Sequence, residues 1–103
     1  MSDASFPNRR LTRLEVLEVI DQHFTFPGPF PLTVIARSGS DFYAMLHATL
    51  EELQGDEAFS IIERPSSKQN YSSYRIEIHV DSASTALYRK EVIAAIDGVL
   101  MML

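Results

Sequence analysis

The segment Arg64-Pro65-Ser66-Ser67-Lys68-Gln69-Asn70-Tyr71 sets two serine hydroxyls, an ammonium and the Asn70 amide between a guanidinium and a phenol. Each is a short-range hydrogen-bonding group with little to do in a core. Gathered at a chain reversal they suit a carboxylate, a phosphate or a partner's backbone. Pro, Ser and Asn are also the residues that build turns, and a lysine at a loop tip is ordinarily just solvated. A second grouping, Arg37-Ser38-Gly39-Ser40, puts an arginine beside a helix N-terminus, where outward-pointing N–H groups favour an anion. One glycine does not make a phosphate loop, and Ser40 has a capping role of its own.

Bond-making chemistry finds less support. With no cysteine there is no thiolate nucleophile, thiolate zinc site, iron–sulfur ligation or disulfide. His23, His47 and His79 fall on three separate elements with none of the one-turn spacing that a metal site uses. The acids Glu51, Glu52, Asp56, Glu57 and Glu63 read as a solvated face. The expectation is a non-enzymatic protein with no metal and no cofactor.

The chain has 103 residues and a formal charge of −5 at pH 7, enough length for one small core without covalent staples. From residue 26 onward six basic residues (Arg37, Arg64, Lys68, Arg75, Arg89, Lys90) face ten acidic ones, which argues against phosphate-backbone binding. The start lacks the apolar run of a signal peptide, and Val92 to Met102, broken by Asp97-Gly98, is too short for a membrane span. Absent cysteine fits a reducing compartment. A cytoplasmic location with no membrane and no nucleic-acid partner follows as the expectation.

Residues 1–11 read as a disordered tail and 12–25 as a helical segment. Thr12-x-x-Glu15 is a capping box with Leu11 and Val16 placed as a staple. Leu14, Val16, Leu17, Ile20 and Phe24 supply the apolar stripe of a helix over 12–23. Three prolines among residues 27–31 then force an extended lead-in to a strand at Leu32–Arg37. Phe42, Met45, Leu46, Thr49, Leu50 and Leu53 mark one face of a helix ending at Gly55. Strands follow at Ala58–Arg64 and Tyr71–Val80, the second alternating Tyr74, Ile76, Ile78, Val80 with Ser73, Arg75, Glu77, His79. Asp81-Ser82 caps a last helix with the stripe Tyr88, Val92, Ala95, Ile96, flanked by Leu87 and Ile93 and stopping at Gly98, and Val99–Leu103 is the last strand.

Strand, helix, strand, strand, helix, strand over 26–103 predicts a single α+β domain of ferredoxin-like βαββαβ form, with an extra N-terminal helix. Its four-stranded antiparallel sheet carries two helices on one face and leaves the other open. Thr33, Ile35, Arg37, Tyr71, Ser73, Arg75, Glu77 and one parity of Val99–Leu103 fall on the open face. The extra helix either covers part of that face or serves a dimer.

Phe26-Pro27 and Phe30-Pro31 before the first strand, Arg64-Pro65-Ser66-Ser67-Lys68-x-Asn70-Tyr71-x-Ser73, Leu87-Tyr88 and the apolar end Val99-Leu100-Met101-Met102-Leu103 together resemble the YbeD-like family of small bacterial proteins of unknown function. The resemblance covers 26–103. It implies a ferredoxin-like fold similar to ACT regulatory domains, which bind amino acids or similar effectors. Two departures stand out: Gln69 replaces a common glycine, and short members lack the N-terminal helix.

The expected function is a regulatory or adaptor module that binds a protein partner or a small acidic metabolite. Its binding residues are Arg64, Pro65, Ser66, Ser67, Lys68, Asn70 and Tyr71, with Arg37. The alternative is a structural homodimer paired through the open face. RNA binding and enzymatic activity are lesser alternatives: Tyr71 alone does not make a stacking platform, and the acylphosphatase loop is absent.

Overall fold

The computed structural model describes residues 10–38, 40–66, 68 and 70–103. The elements run α1 (Arg13–His23), β1 (Gly28–Arg37), α2 (Ser40–Gln54), β2 (Phe59–Pro65), β3 (Tyr71–Val80), α3 (Ala83–Ala94) and β4 (Val99–Met102). The sheet order is β2-β3-β1-β4, with every pairing antiparallel. This is the expected ferredoxin-like arrangement.

Its spine is the β1–β3 pair, in register over ten positions from Gly28↔Val80 to Arg37↔Tyr71. Alternation then sorts the side chains. Phe30, Leu32, Val34 and Ala36 of β1 and Tyr74, Ile76, Ile78 and Val80 of β3 face one side. There they form a single buried cluster with Phe42, Leu46 and Leu50 of α2 and Ala83, Ala86, Leu87 and Ile93 of α3. Gln54, buried at the end of α2, ties the layers together: its amide nitrogen Nε2 donates to the carbonyls of Ala58 and His79 at 3.0 and 2.9 Å. Its Oε1 accepts from Arg89, which also pairs with Glu57 at 2.8 Å. Glu57 therefore has a partner, where the sequence suggested a purely solvated acidic face.

β1 begins four residues earlier than expected. The proline-rich lead-in is itself strand, paired to β3. The reason lies in its edge: Thr33 exchanges both backbone hydrogen bonds with Leu103. By the two-residue period, Pro29 and Pro31 turn their backbones toward that same side, beyond the end of β4, where no ladder donor is required. Gly28 is needed at the strand's start, because a Cβ there would lie 2.6 Å from the Thr25 carbonyl oxygen.

The N-terminal helix joins the helical layer and does not cover the open face. Its capping box is formed, with the Glu15 N–H donating to Thr12 Oγ1 at 3.2 Å and the Thr12 N–H to Glu15 Oε1 at 2.8 Å. Arg13 pairs with Glu91 of α3 at 2.7 Å. Ile20 is buried, Val16, Leu17 and Phe24 pack against the core, and Phe24 meets Phe30 edge-on with centroids 5.0 Å apart. Residues 1–9 of the expected tail lie outside the described residues.

The expectations for all three helices need correction. Leu14 is 74% exposed, Met45 is exposed, and Tyr88 and Ala95 both leave the expected α3 stripe, Tyr88 at 57% exposure. In α1 and α3 apolar residues occupy more than one face, and packing selects the face with Ile20 and the one with the small Ala83 and Ala86, which allow close approach to the sheet. α3 also ends at Ala94, short of Gly98. α2 starts at Ser40, which is therefore the first residue of the helix and not the cap before it.

Gly98 has φ +101°, and a Cβ there would sit 3.2 Å from the Phe42 ring. Gly98→Ala combines left-handed strain with a core clash and is expected to cost about 1–3 kcal/mol in urea unfolding. An unchanged midpoint would show that neither constraint acts.

Candidate functional site

The open face is a set of rows, because residues opposite one another in antiparallel strands share a side. At the hairpin end Tyr71 stands beside Arg37. The next row is Arg64, Ser73, Ile35 and Met101 across all four strands. Then come Ile62, Arg75 and Thr33, with Leu103 bonded to Thr33. Ser60, Glu77 and Pro31 make the fourth row, and His79 with Pro29 the fifth. The expected open-face residues of β1 and β3 are all here, and in β4 the open-face parity is Met101.

The Pro65–Tyr71 connection closes tightly. The Ser66 N–H donates to the Tyr71 carbonyl at 2.7 Å, and the Tyr71 N–H donates to Ser66 Oγ at 3.3 Å. The Asn70 carbonyl accepts from the Ser38 N–H at 3.0 Å, which pins the hairpin to the end of β1. Ser38 and Ser72 share a hydroxyl–hydroxyl hydrogen bond at 3.4 Å. Arg64, Pro65, Ser66 and Tyr71 thus meet around a shallow depression of about 260 Å³, completed by Ile35, Ser72 and Ser73. Arg37 adjoins it through Tyr71. Lys68 and Asn70 are exposed in the loop, and Ser67 lies outside the described residues, as does Gln69.

The charges on this side are distinctive. Among the described residues, Arg37, Arg64, Lys68 and Arg75 have no carboxylate partner, and Glu77 is the one carboxylate on the open strand face. Glu63 points the other way. It faces Tyr74 across β2 and β3 and accepts from the phenol at 3.3 Å. Ile62 and Met101, 56% and 52% exposed, interleave the arginines. Sequence reasoning placed Arg75 on this face but not in the site, and missed Ile62. The adjacent pair Ile61-Ile62 was the available clue, since one of two neighbouring strand residues must point outward. Among the described residues no group of three or more histidines or acids converges as metal ligands. No described helix is long and apolar enough to cross a membrane.

The geometry defines an ACT-like α+β module with one bare sheet face. Known structures agree at the level of fold. A solution structure of protein HP0495 from Helicobacter pylori is similar at TM-score 0.66 and 21% identity, covering 78% of this chain and 85% of that one. The ACT domain from GTP pyrophosphokinase of Chlorobium tepidum is similar at TM-score 0.60 and 9% identity, covering 73% of this chain and 94% of that one. The C-terminal domain of the MgtC protein from Mycobacterium tuberculosis is similar at TM-score 0.56 and 15% identity, covering 73% and 82%. No curated protein matches the sequence. Residues 21–103 match the family described as protein of unknown function (DUF493), and the chain belongs to that family. The YbeD-like resemblance is thereby confirmed.

Burial raises the Tyr74 phenol above its ordinary pKa of 10.0, and the Glu63 carboxylate adds to the shift, against an opposing hydrogen bond from Ser72. Above pH 10 an unfolded tyrosine ionises while folded Tyr74 keeps its proton, so stability falls as pH rises through that window. Tyr74→Phe should flatten the fall in melting temperature above pH 10. At neutral pH it should cost about 1 kcal/mol for the lost hydrogen bond. Parallel melting curves for the two proteins from pH 7 to alkaline conditions would remove Tyr74 as the source.

Proposed function

We propose that this chain is a non-enzymatic regulatory or adaptor module that holds a protein partner against the open sheet face, at the end carrying the Arg64–Tyr71 hairpin. The observation that carries the reading is the face itself. With α1 packed on the helical side, Ile62, Tyr71 and Met101 stand exposed beside half-buried Ile35, among unpaired arginines. Interleaved apolar and arginine side chains on a flat surface are what a protein interface uses for burial and orientation.

A small acidic metabolite is less well served. A ligand pocket encloses most of its ligand. Here the depression is shallow, and the Ser66 and Ser72 hydroxyls already have partners. The homodimer reading loses support for an electrostatic reason. Pairing two open faces sets Arg37, Arg64 and Arg75 of both copies against one Glu77 from each, and like charges in a desolvated interface are costly.

Immobilised wild-type protein is expected to retain from native lysate a protein that an Ile62→Asp/Met101→Asp variant of unchanged melting temperature does not. The same proteins bound by both forms, or none that distinguishes them, would remove the reading.

A further inference from the structure

Resting on that reading, we infer that the partner presents an extended acidic segment bearing aliphatic side chains, laid along β3 so that its carboxylates meet Arg37, Arg64 and Arg75. The three arginines zigzag about β3, with Arg37 on its neighbour β1, Arg64 on its other neighbour β2 and Arg75 on β3 itself. Each occupies its own row and its own strand: Arg37 of β1 in the Tyr71 row, Arg64 of β2 in the Ser73 row, Arg75 of β3 in the Ile62 row. The fourth row holds Glu77, which repels a carboxylate and bounds the site.

Row spacing sets the shape of the occupant. Successive rows are two strand residues apart, about 6.8 Å, which is also the distance between side chains i and i+2 of an extended peptide. Three side chains on one side of such a peptide therefore fall on the three arginine rows. Arg64 and Arg75 are diagonal neighbours about 7–8 Å apart, close enough for one carboxylate to bridge two guanidinium forks. No described carboxylate does so in the free protein. Two like charges left side by side repel, and an incoming acid relieves that repulsion. Ile62 lies in the Arg75 row and Ile35 with Met101 in the Arg64 row, so each of these rows also offers an apolar contact to a Val, Ile or Leu.

Charge on the rest of the molecule sharpens the choice. The chain carries −5 overall. The three helices carry seven acids against the bases Arg13, Arg89 and Lys90, so an acidic segment is steered away from the helical side and toward this face. Single-stranded RNA shares the anionic chemistry, but its readers stack bases on two or three rings, and this face has Tyr71 alone.

The test is fluorescence anisotropy with a labelled dodecapeptide of Glu and Val residues, beside a copy in which every Glu is Gln and a labelled oligouridine. The Glu/Val peptide is expected to bind wild type and to weaken as salt rises. Arg64→Gln/Arg75→Gln should weaken it by about tenfold or more, whereas Arg10→Gln/Lys90→Gln, an equal change of charge elsewhere, should leave it unchanged. No binding of the Glu/Val peptide, equal binding of the Gln copy, equal loss in both double variants, or tighter binding of the oligouridine would each overturn the inference. A partner captured through Ile62 and Met101 but indifferent to Arg64→Gln/Arg75→Gln would leave the adaptor reading standing and sink this one.

Discussion

Everything on both faces of this protein depends on the ten-position register between β1 and β3. A strand has a period of two, so one choice of parity in this central pair decides which side of the sheet each residue joins. With the observed parity Phe30, Leu32, Val34, Tyr74, Ile76 and Ile78 meet the helices. A slip of one residue would send Arg75 and Glu77 into the core and turn Ile76 and Ile78 out to water, a cost no local contact offsets. β2 and β4 take their positions from this pair, and the open face with its rows of side chains is the other side of the same choice.

The sheet also separates two electrostatic environments. Glu63 reaches toward the helical side and its bond to Tyr74, leaving Arg64, its neighbour in sequence, on the bare side. Beneath the hairpin, Ser38 and Ser72 tie the end of β1 to the start of β3. The loop that presents polar groups is therefore fastened at its base. Such anchoring leaves the loop little conformational freedom to lose in any complex it forms.

The open face was legible in the sequence where one strand contained the whole pattern. Tyr74, Ile76, Ile78 and Val80 against Ser73, Arg75, Glu77 and His79 needs no knowledge of neighbours. The cross-strand rows were not legible, because whether Arg64 lies beside Ser73 or Arg75 depends on a register that composition does not encode. The start of β1 was hidden for a related reason. Proline is a strand breaker in general, yet Pro29 and Pro31 are tolerated because β4 stops at Thr33, a fact residing some seventy residues away. In α1 and α3 the periodicity was present but its phase was ambiguous, and Leu14 and Tyr88 were resolved only by packing. The hairpin residues do assemble, though the Ser66 hydroxyl is spent on closing the turn.

The two edge prolines also bear on how the chain reaches this state. β4 comes after the other described elements in the chain, so until it pairs β1 has one flank unoccupied. A bare, aliphatic strand flank is a template for adhesion between nascent chains. Pro29 and Pro31 withhold donors along the half of that flank which β4 never reaches, and the later arrival of Val99–Met102 closes the other half. The exposed interval is thus confined to the stretch for which a native cover is already encoded downstream.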